Sequence, residues 1–368
     1  MVDPVLANQA LNRATLARQM LLARSDRGIV EAVDFLVGLQ GQVSDGPYQA
    51  LWSRLEGFRH QDLTALIVDR TLVRATSLRA TLHLHTVDDL IGLRPHVQPT
   101  LDRMWQSAFG NRLFGDNDIA AVRRAGVKLL NKGPMTGGAL GKALQAQFPA
   151  GTAQAKAVLL QIKEILIQIP PTRIWGSGHA PLLTRVQNWV PAPHKRMLAK
   201  DALVLRYLRA LGPASINDMQ VWAGMTRMGS VFDAVGDRLV TFRGEDGRVL
   251  YDLPDAPRPD ADTPAPVRFL PDYDNVLIGY ADRSRFASEL DIKRLWRAGG
   301  AFRSILVDGR VAASWSVVRE KKAAARLVVT PLRKLLKREI REIEREGSAF
   351  LAFATAQPGG AVEVLAAE

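Results

Sequence analysis

The sequence predicts a mainly helical α+β protein, with three tandem winged helix-turn-helix units before a C-terminal domain built on a barrel-like β-sheet. Between residues 199 and 253, three helical segments are followed by a β-hairpin, and the same order recurs more loosely twice before it. Strand-like patterns begin again beyond a proline-rich connection. Three helices and a hairpin form the order of a winged helix, whose third helix enters the major groove in DNA-binding versions.

Residues 1–110 are predicted to form the first unit, which begins with additional helical segments before the winged-helix elements. Apolar residues recur at helical spacing in several segments, and Pro47 suits the first turn of one of them. Residues 77–86 alternate apolar and polar side chains, which predicts a strand. The predicted helices of this unit cover residues 12–24, 28–39, 48–55, 60–69 and 87–105.

Residues 111–195 are predicted to form the second unit, with helices over 118–131, 137–147 and 154–167. The segment PPTRIWGSGHAPLL would be its hairpin. Because no strict sequence repeat accompanies the element order, a helical domain with incidental hairpins remains the alternative for the first two units.

Residues 196–256 form the most clearly patterned unit. A helix over 201–211 ends at Gly212-Pro213, and Ser215 then caps a short helix that runs to residue 223. A third helix is predicted over 228–235. Two strands follow over 238–253, joined through an Asp246-Gly247 turn of the kind that favours hairpins.

Residues 265–368 are predicted to form the C-terminal domain, after five prolines between residues 254 and 266. Strands are expected at VRFLPDY, FRSILVDGRVAASWSV and ARLVV, and a basic helix over 331–346. FLAFA and AVEVLAA close the chain, and the mixture predicts a small barrel-like sheet with one helix laid on it.

Composition and charge restrict the function. Forty-nine Lys and Arg against thirty-seven Asp and Glu give a net charge of +12, which favours polyanionic partners, although a merely basic protein is the alternative. The absence of cysteine excludes disulfides, thiolate metal sites and a cysteine nucleophile. No stretch resembles a membrane span or a signal peptide, so we expect a cytoplasmic protein with no membrane association.

Two clusters of polar residues are candidates for contact with a ligand. Residues 319–346 hold ten basic against five acidic residues, and in the predicted helix Lys334, Lys337, Arg338 and Arg341 lie largely outside the apolar face. They would contact phosphates or form a solvated face with i,i+4 ion pairs.

Arg79, Thr81, His83 and His85 alternate along the strand over 77–86, so that they share one face. They would line a polar pocket or contact DNA. The two histidines lack the further ligands that a metal site needs, and we predict no metal.

The tripeptide Gln40-Gly41-Gln42 lies between two predicted helices. In an extended stretch, residues two apart face the same way, and a helix ending at Gly41 would let both amides converge on one pocket. Tyr48 and Trp52 follow closely; they would line that pocket or pack into the core.

Taken together, five blocks resemble the winged-helix DNA glycosylases of the AlkZ and YcaQ type, in family order and over nearly the whole chain. They are LQGQVSDGPYQALWSRL, LVRATSLRATLHLHT, RYLRALGPASINDMQVWAG, FLPDYDNVLIGYADRSR and SILVDGRVAASW. The resemblance implies three winged helices in a concave body around DNA, a C-terminal barrel, and hydrolysis of the N-glycosidic bond of N7-alkylated purines.

The family's catalytic motif is Gln-x-Gln in the AlkZ branch and Gln-x-Asp in the YcaQ branch, and Gln40 and Gln42 match the former. The match implies a monofunctional glycosylase for bulky natural-product adducts or interstrand crosslinks, as in antibiotic self-resistance. It would bind double-stranded DNA as a monomer and need no cofactor.

The chemistry is consistent with two amides. N7 alkylation makes the purine cationic, so that the leaving base needs no proton, and the amides have to hold a water and favour the developing sugar cation. A winged-helix transcriptional regulator without catalysis and a general alkyl-base repair glycosylase are the alternatives. A regulator would bind specific sequences, usually as a dimer.

Overall fold

The computed structural model describes residues 3–190, 197–295, 303–319, 324–357 and 359–367. Over these residues, helices alternate with strands that form three β-sheets. One apolar cluster includes Leu21, Leu140, Leu208 and Leu270, so its members come from all four predicted parts of the chain. No helix in the described ranges is long and apolar enough to cross a membrane.

The first part of the chain contains four helices and four short strands, described in order. The helices are α1 (Asn8–Arg18), α2 (Ile29–Phe35), α3 (Gly46–Arg54) and α4 (His60–Val68), and the strands are β1 (Val5–Leu6), β2 (Leu39–Gln40), β3 (Leu72–Thr76) and β4 (Leu82–Thr86). The helix predicted over 12–24 begins earlier and ends at Arg18. The helix predicted over 28–39 ends at Phe35, because Val37 and Gly38 adopt positive φ.

The strand predicted over 77–86 begins only at Leu82. Residues Leu78–Ala80 form a short 3-10 turn in which Arg79 and Ala80 have φ of 53° and 57°. The preceding strand β3, which the sequence pattern did not reveal, is almost wholly buried. A strand buried on both faces lacks the alternation by which strands are recognised.

Up to residue 190, the second part holds six helices and three strands. The helices are α5 (Val87–Ala108), α6 (Gly110–Phe114), α7 (Ile119–Leu130), α8 (Gly137–Gln147), α9 (Ala153–Lys163) and α10 (Val186–Trp189), and the strands are β5 (Met135–Thr136), β6 (Leu166–Ile169) and β7 (Leu182–Arg185). The side chains of Asp118, Thr136 and Thr152 cap α7, α8 and α9. The helix predicted to reach residue 167 ends at Lys163, and the buried residues that follow enter the sheet as β6.

The third part agrees closely with its prediction. Its elements are α11 (Lys200–Leu211), α12 (Ile216–Ala223), α13 (Gly229–Ala234), β8 (Val240–Gly244) and β9 (Val249–Asp252). Ser215 and Asp218 form a reciprocal capping box at the start of α12. Gly224 ends that helix in the left-handed region, with φ of 70°.

Strand pairing shows the same arrangement three times. In the first part β2 pairs with β4, in the second β5 pairs with β7, and in the third Ala214 forms a bridge with Tyr251. The three helices before each hairpin are α2–α4, α7–α9 and α11–α13. Each time, a short extended segment between the first and second of these three helices pairs with the last strand of the hairpin that follows. The N-terminal strand β1 pairs in parallel with β8 and so joins the two ends of this region.

The first two hairpins share one antiparallel sheet, with strand order β2-β4-β3-β6-β7-β5. The pairing of β3 with β6 joins them. Strand β2 is therefore an edge of this sheet, and Gln40 lies at that edge.

The C-terminal part contains an open sheet. Its elements are β10 (Arg268–Leu270), α14 (Asn275–Ile278), α15 (Glu289–Leu295), β11 (Ser304–Val307), β12 (Arg310–Val318), β13 (Arg326–Pro331), α16 (Lys337–Thr355) and β14 (Ala361–Val364). The described strands run in the order β10-β11-β12-β13-β14 and do not close, so the predicted barrel-like sheet is not confirmed. Helix α16 lies on the sheet, where Phe350 packs on Phe269 and Trp315.

The basic helix lies further along the chain than predicted. Pro331 ends strand β13, and α16 begins at Lys337, where the Glu339 carboxylate accepts a hydrogen bond from the Leu336 N–H at 2.7 Å. The helix continues through FLAFA to Thr355. Lys334 therefore precedes the helix. Part of the basic stretch, residues 320–323, lies outside the described residues.

Two buried ion pairs join distant parts of the chain. Arg18 of α1 pairs with Asp252 of β9, and both side chains are fully buried. Arg54 at the end of α3 forms a two-pronged pair with Asp274 at the start of α14, at 2.7 and 2.8 Å. The second pair fixes α3, which follows Gln42 in the chain, to the C-terminal part.

Removal of the Asp274 carboxylate should be costly. Asp274→Ala is expected to lower the free energy of unfolding by about 3–5 kcal/mol, because it leaves the Arg54 guanidinium buried without its partner. Urea unfolding followed by circular dichroism measures this. The matched control is Asp62→Ala, which breaks an exposed Arg59 pair and should leave stability nearly unchanged. Similar losses in both variants would contradict a structural role for the buried pair.

Candidate active site

Gln40 lies in β2 at one edge of the six-stranded sheet, and Gly41 and Gln42 lead from it into a bend. Gln40 is paired with His83 of β4, and the Gly41 N–H donates to the Leu82 carbonyl at 2.7 Å. The backbone is therefore extended at Gln40 but bends at Gln42, and the helix before this segment ends at Phe35, well short of Gly41. Gln40 is 9% exposed, whereas Gln42 is exposed.

The oxygen of the Gln40 amide is occupied. Its Oε1 accepts a hydrogen bond from Arg79 Nη2 at 3.0 Å and shares the single proton of the Thr81 hydroxyl, 3.4 Å away, with the nearer Leu78 carbonyl. An amide oxygen has two lone pairs, and its nitrogen carries two N–H donors. These two bonds leave the Gln40 side chain with its NH₂ group as the part that can bind something else.

The Gln42 amide is bound far more loosely. Its Oε1 lies 3.5 Å from the Leu82 backbone nitrogen, at the outer limit of a hydrogen bond. Because the side chain is exposed at the sheet edge, its oxygen can accept a hydrogen bond from a water or a substrate. The two glutamines therefore present different chemistry to their surroundings.

Arg79 connects this edge to the third part of the chain. Its Nη1 donates to the Trp222 carbonyl in the last turn of α12, and its Nη2 also lies 3.2 Å from His83 Nε2. Burial lowers the pKa of Arg79 to about 10, with a further contribution from the charge of Arg283, so the guanidinium stays charged at neutral pH.

His83 is held as a neutral ring. Its Nδ1 lies 3.0 Å from the Thr81 carbonyl, which can only accept, so Nδ1 carries the proton and Nε2 faces Arg79 as an acceptor. Burial, followed by the charge of Arg79, lowers the pKa of His83 well below its usual value. His83 is thus suited to accept from Arg79 rather than to act as an acid at neutral pH.

The loop after Gln42 is held from two sides. Arg74 of β3 donates to the carbonyls of Gly41 and Ser44 at 3.1 and 2.9 Å, and burial lowers its pKa to about 10. From the hairpin between β6 and β7, Arg173 donates to the Ser44 hydroxyl at 2.9 Å. The Gly176 N–H donates to the Asp45 carboxylate at 3.3 Å. The backbone around Gln42 is therefore fixed, whereas the Gln42 side chain is exposed and only loosely bound.

Tyr48 and Trp52 belong to the packing of the chain rather than to an open pocket. Tyr48 is fully buried, its hydroxyl hydrogen-bonds Thr64 at 3.0 Å, and its ring contacts Trp175. Trp52 stacks on Phe353 of α16, with ring centroids 5.6 Å apart. The structure favours the core interpretation for both residues.

His85 lies in the interior, whereas the basic residues near α16 lie at the surface. His85 is fully buried, and its ring stacks beside that of His83. Lys334, Lys337, Arg338 and Arg341 are exposed at the beginning of α16. Contact of these four residues with DNA phosphates stays a prediction.

Several residues that shape this edge are not evident from the sequence. Arg74, Arg173 and Trp222 approach the Gln40–Asp45 segment only through tertiary folding, and Trp222 contributes a backbone carbonyl. One local signal existed for Arg74, since it interrupts an apolar run in LVRAT. In the described ranges, no group of three or more His, Asp or Glu side chains is placed to hold a metal ion.

Comparison with known proteins gives a match to a family model and matches to solved structures. A family model described as DNA glycosylase AlkZ-like matches residues 33–353, which include Gln40 and Gln42. Among solved structures, the chain is similar to the DNA glycosylase AlkZ of Streptomyces sahachiroi, with 20% sequence identity and a TM-score of 0.79 over 97% of this chain and 99% of that one. No curated protein matches by sequence. The structural match shows a shared fold.

Burial of His85 should make stability depend on pH. Burial lowers its pKa from 6.5 to about 4, so between these values the unfolded chain binds a proton that the folded chain does not. The stabilisation by the neutral ring is complete above pH 6.5 and is lost as the pH falls toward 4, by up to about 3 kcal/mol.

Urea unfolding between pH 7 and 4 measures this effect. His85→Leu and His85→Gln should both lose stability less steeply than the wild type as the pH falls, because neither side chain titrates. The two replacements pack differently, so the stabilities of the two variants at pH 7 should differ. Their dependence on pH should nevertheless be alike, because the titrating ring is absent from both. A wild-type slope in both variants would show that His85 does not carry the effect.

Proposed function

The chain belongs to the AlkZ-like DNA glycosylase family and is therefore a DNA glycosylase, and from this premise we propose that it hydrolyses the N-glycosidic bond of N7-alkylguanine. Its substrates would be bulky adducts or interstrand crosslinks of the kind that alkylating natural products form in double-stranded DNA. The reaction would be monofunctional, with base release but no strand cleavage. The observation that carries the proposal is the pair of amides, Gln40 and Gln42, held at one sheet edge.

The leaving group determines what these side chains have to do. An N7-alkylated guanine is a cation, and it becomes neutral when the bond from N9 to C1′ breaks. It needs no general acid, in contrast to the sugar leaving groups of glycosidases. The protein then has to position a water and favour the positive charge that develops on the sugar.

Two amides suit that task. The exposed Gln42 oxygen can be directed at a developing cation, and both amides can hydrogen-bond a water without accepting its proton. The Arg74, Arg173 and Gly176 contacts fix the backbone around Gln42, which limits the reorganisation needed when the substrate binds. We therefore assign Gln40 and Gln42 as the residues that contact the water and the sugar.

The open position of Gln42 supports a bulky substrate. A flipped small base needs an enclosed pocket, whereas a bulky adduct is better accommodated beside an exposed edge. Gln42 is exposed, and the nearby aromatic residues Tyr48 and Trp52 are engaged in packing rather than arranged to stack on a base.

The repeated element order supports the proposal of three tandem winged helices. We place them within residues 1–110, 111–195 and 196–256, followed by the C-terminal domain over 265–368. DNA would lie across them, bound by a monomer with little sequence preference. Lys334, Lys337, Arg338 and Arg341 would contribute phosphate contacts, which the exposure of all four permits.

Release of the modified base tests the proposal. Duplexes that carry N7-methylguanine or a bulky N7-alkylguanine are incubated with the protein, and abasic sites are scored by alkaline strand scission. Gln40→Ala and Gln42→Ala are each expected to lower the single-turnover rate by about 100–1,000-fold, as removal of an oriented transition-state contact does. Gln61→Ala removes an exposed amide of α4 and should retain the wild-type rate.

The outcomes separate the alternatives. Release of the bulky base in preference to the methylated base supports the proposed substrate, and the reverse preference identifies a general alkyl-base repair enzyme. If the wild-type protein releases no N7-alkylguanine, the proposed reaction is wrong. Sequence-specific binding of a dimer without base release would identify the regulator.

A further inference from the structure

We propose that Arg79 is a positioning residue that fixes the Gln40 amide as a hydrogen-bond donor, so that Gln40 donates to the attacking water and Gln42 accepts from it. This inference rests on the proposed function, because it assigns opposite roles to the two amides of that site. It replaces the equal roles that the motif alone suggests, and it gives Arg79 a role other than contact with DNA.

The contacts of the guanidinium carry the proposal. Arg79 donates to the Trp222 carbonyl through Nη1, and its Nη2 points at Gln40 Oε1 and at His83 Nε2. Because His83 uses its own proton toward the Thr81 carbonyl, its Nε2 accepts as well. These three acceptors fix the orientation of the planar guanidinium. The guanidinium in turn binds the oxygen of the Gln40 amide, which leaves the NH₂ group to face the attacking water.

Thr81 gives the Gln40 oxygen a second but weaker donor, because its single hydroxyl proton is shared with a nearer acceptor. Its hydroxyl lies 3.4 Å from Gln40 Oε1 and 3.1 Å from the Leu78 carbonyl. A flipped Gln40 amide would place its NH₂ group against the Arg79 N–H groups, with donors facing donors. The structure therefore opposes the orientation in which Gln40 accepts from the water.

The backbone around Arg79 shows that the arrangement is built into the fold. Arg79 and Ala80 both have positive φ, a conformation that costs free energy in residues other than glycine and persists only where the surroundings impose it. Gly224, at the end of α12, lies so close that an added Cβ would be 2.9 Å from the Arg79 Cα. The hairpin turn and the end of α12 are thus fitted to one another at Arg79.

A donor and an acceptor orient a water better than either does alone. The Gln40 N–H would occupy one lone pair of the water, and Gln42 Oε1 would hold one of its hydrogens, leaving the second lone pair for C1′. The water oxygen forms a bond to C1′ as the bond from C1′ to N9 breaks. The electron pair passes to the base and cancels its positive charge, and the water's excess proton leaves to solvent.

Rate and affinity distinguish this role from a phosphate contact. With saturating protein and a bulky N7-alkylguanine duplex, Arg79→Ala should lower the single-turnover rate by about 10–100-fold, as the loss of a hydrogen bond from a charged group does. The dissociation constant should change by less than about threefold. Arg59→Ala removes the same charge from an exposed position of the first part and should alter neither value.

A phosphate contact would give the opposite pattern. Binding would weaken, the slope of log affinity against log salt would fall in magnitude by about one, and the rate at saturation would remain that of the wild type. That result would overturn the proposal.

A double-mutant cycle tests whether Arg79 acts through Gln40. In a Gln40→Ala background, Arg79→Ala should cause little further loss of rate, since the amide that it orients is gone. If the rate of the double variant falls by the product of the two single-variant losses, the residues act independently and the proposal is wrong. Thr81→Val, which removes only the second donor, should lower the rate in the same direction and provides the test if Arg79→Ala lowers the melting temperature.

A spectroscopic readout separates this inference from the proposed reaction. In the free protein, the ¹⁵N and ¹H resonances of the Gln40 side-chain NH₂ should shift in Arg79→Ala and Thr81→Val but not in Arg59→Ala. If the wild-type protein releases no base, the proposed function fails, and these resonances still test the positioning of Gln40. Unshifted resonances in Arg79→Ala would contradict it.

Discussion

The Arg79 guanidinium is a desolvated cation that requires acceptors, and those acceptors come from two distant parts of the chain. Gln40 and His83 lie in the sheet of the first two hairpins, whereas the Trp222 carbonyl belongs to α12. While these parts are packed together, the loss of one acceptor would leave a half-buried charge short of a partner, which costs more than losing a surface contact. The orientation of the Gln40 amide therefore depends on how the first and third parts of the chain pack together.

The same principle accounts for much of the positive charge of the chain. Several arginines are buried and bind carbonyls or carboxylates within the fold; they are Arg13, Arg18, Arg54, Arg74, Arg94, Arg268 and Arg285. The net charge of +12 is thus weak evidence for DNA binding by itself, because part of the arginine content joins helices and strands. Evidence for a DNA-directed function comes instead from the family match.

Local signals predict those parts of the fold that local interactions determine. The Ser215 capping box, Gly224 and the Asp246-Gly247 turn are short-range features, and the predicted helices and hairpin around them agree with the structure. Strand β3 is buried within a sheet, which periodicity does not reveal, and Pro331 belongs to strand β13, so that α16 begins only at Lys337. In the site, the two glutamines were recognisable from their motif, but the partners that give them opposite orientations meet only after folding.

Affinity for a charged mimic of the transition state tests most directly whether the edge with Gln40 and Gln42 favours a sugar cation. A pyrrolidine abasic analogue, cationic at neutral pH, and a neutral tetrahydrofuran analogue provide that comparison in otherwise identical duplexes. A protein complementary to the transition state should bind the cationic duplex more tightly by about tenfold or more, and Gln42→Ala should lose this preference. Equal affinity of the wild-type protein for both duplexes would contradict glycosidic hydrolysis at this edge.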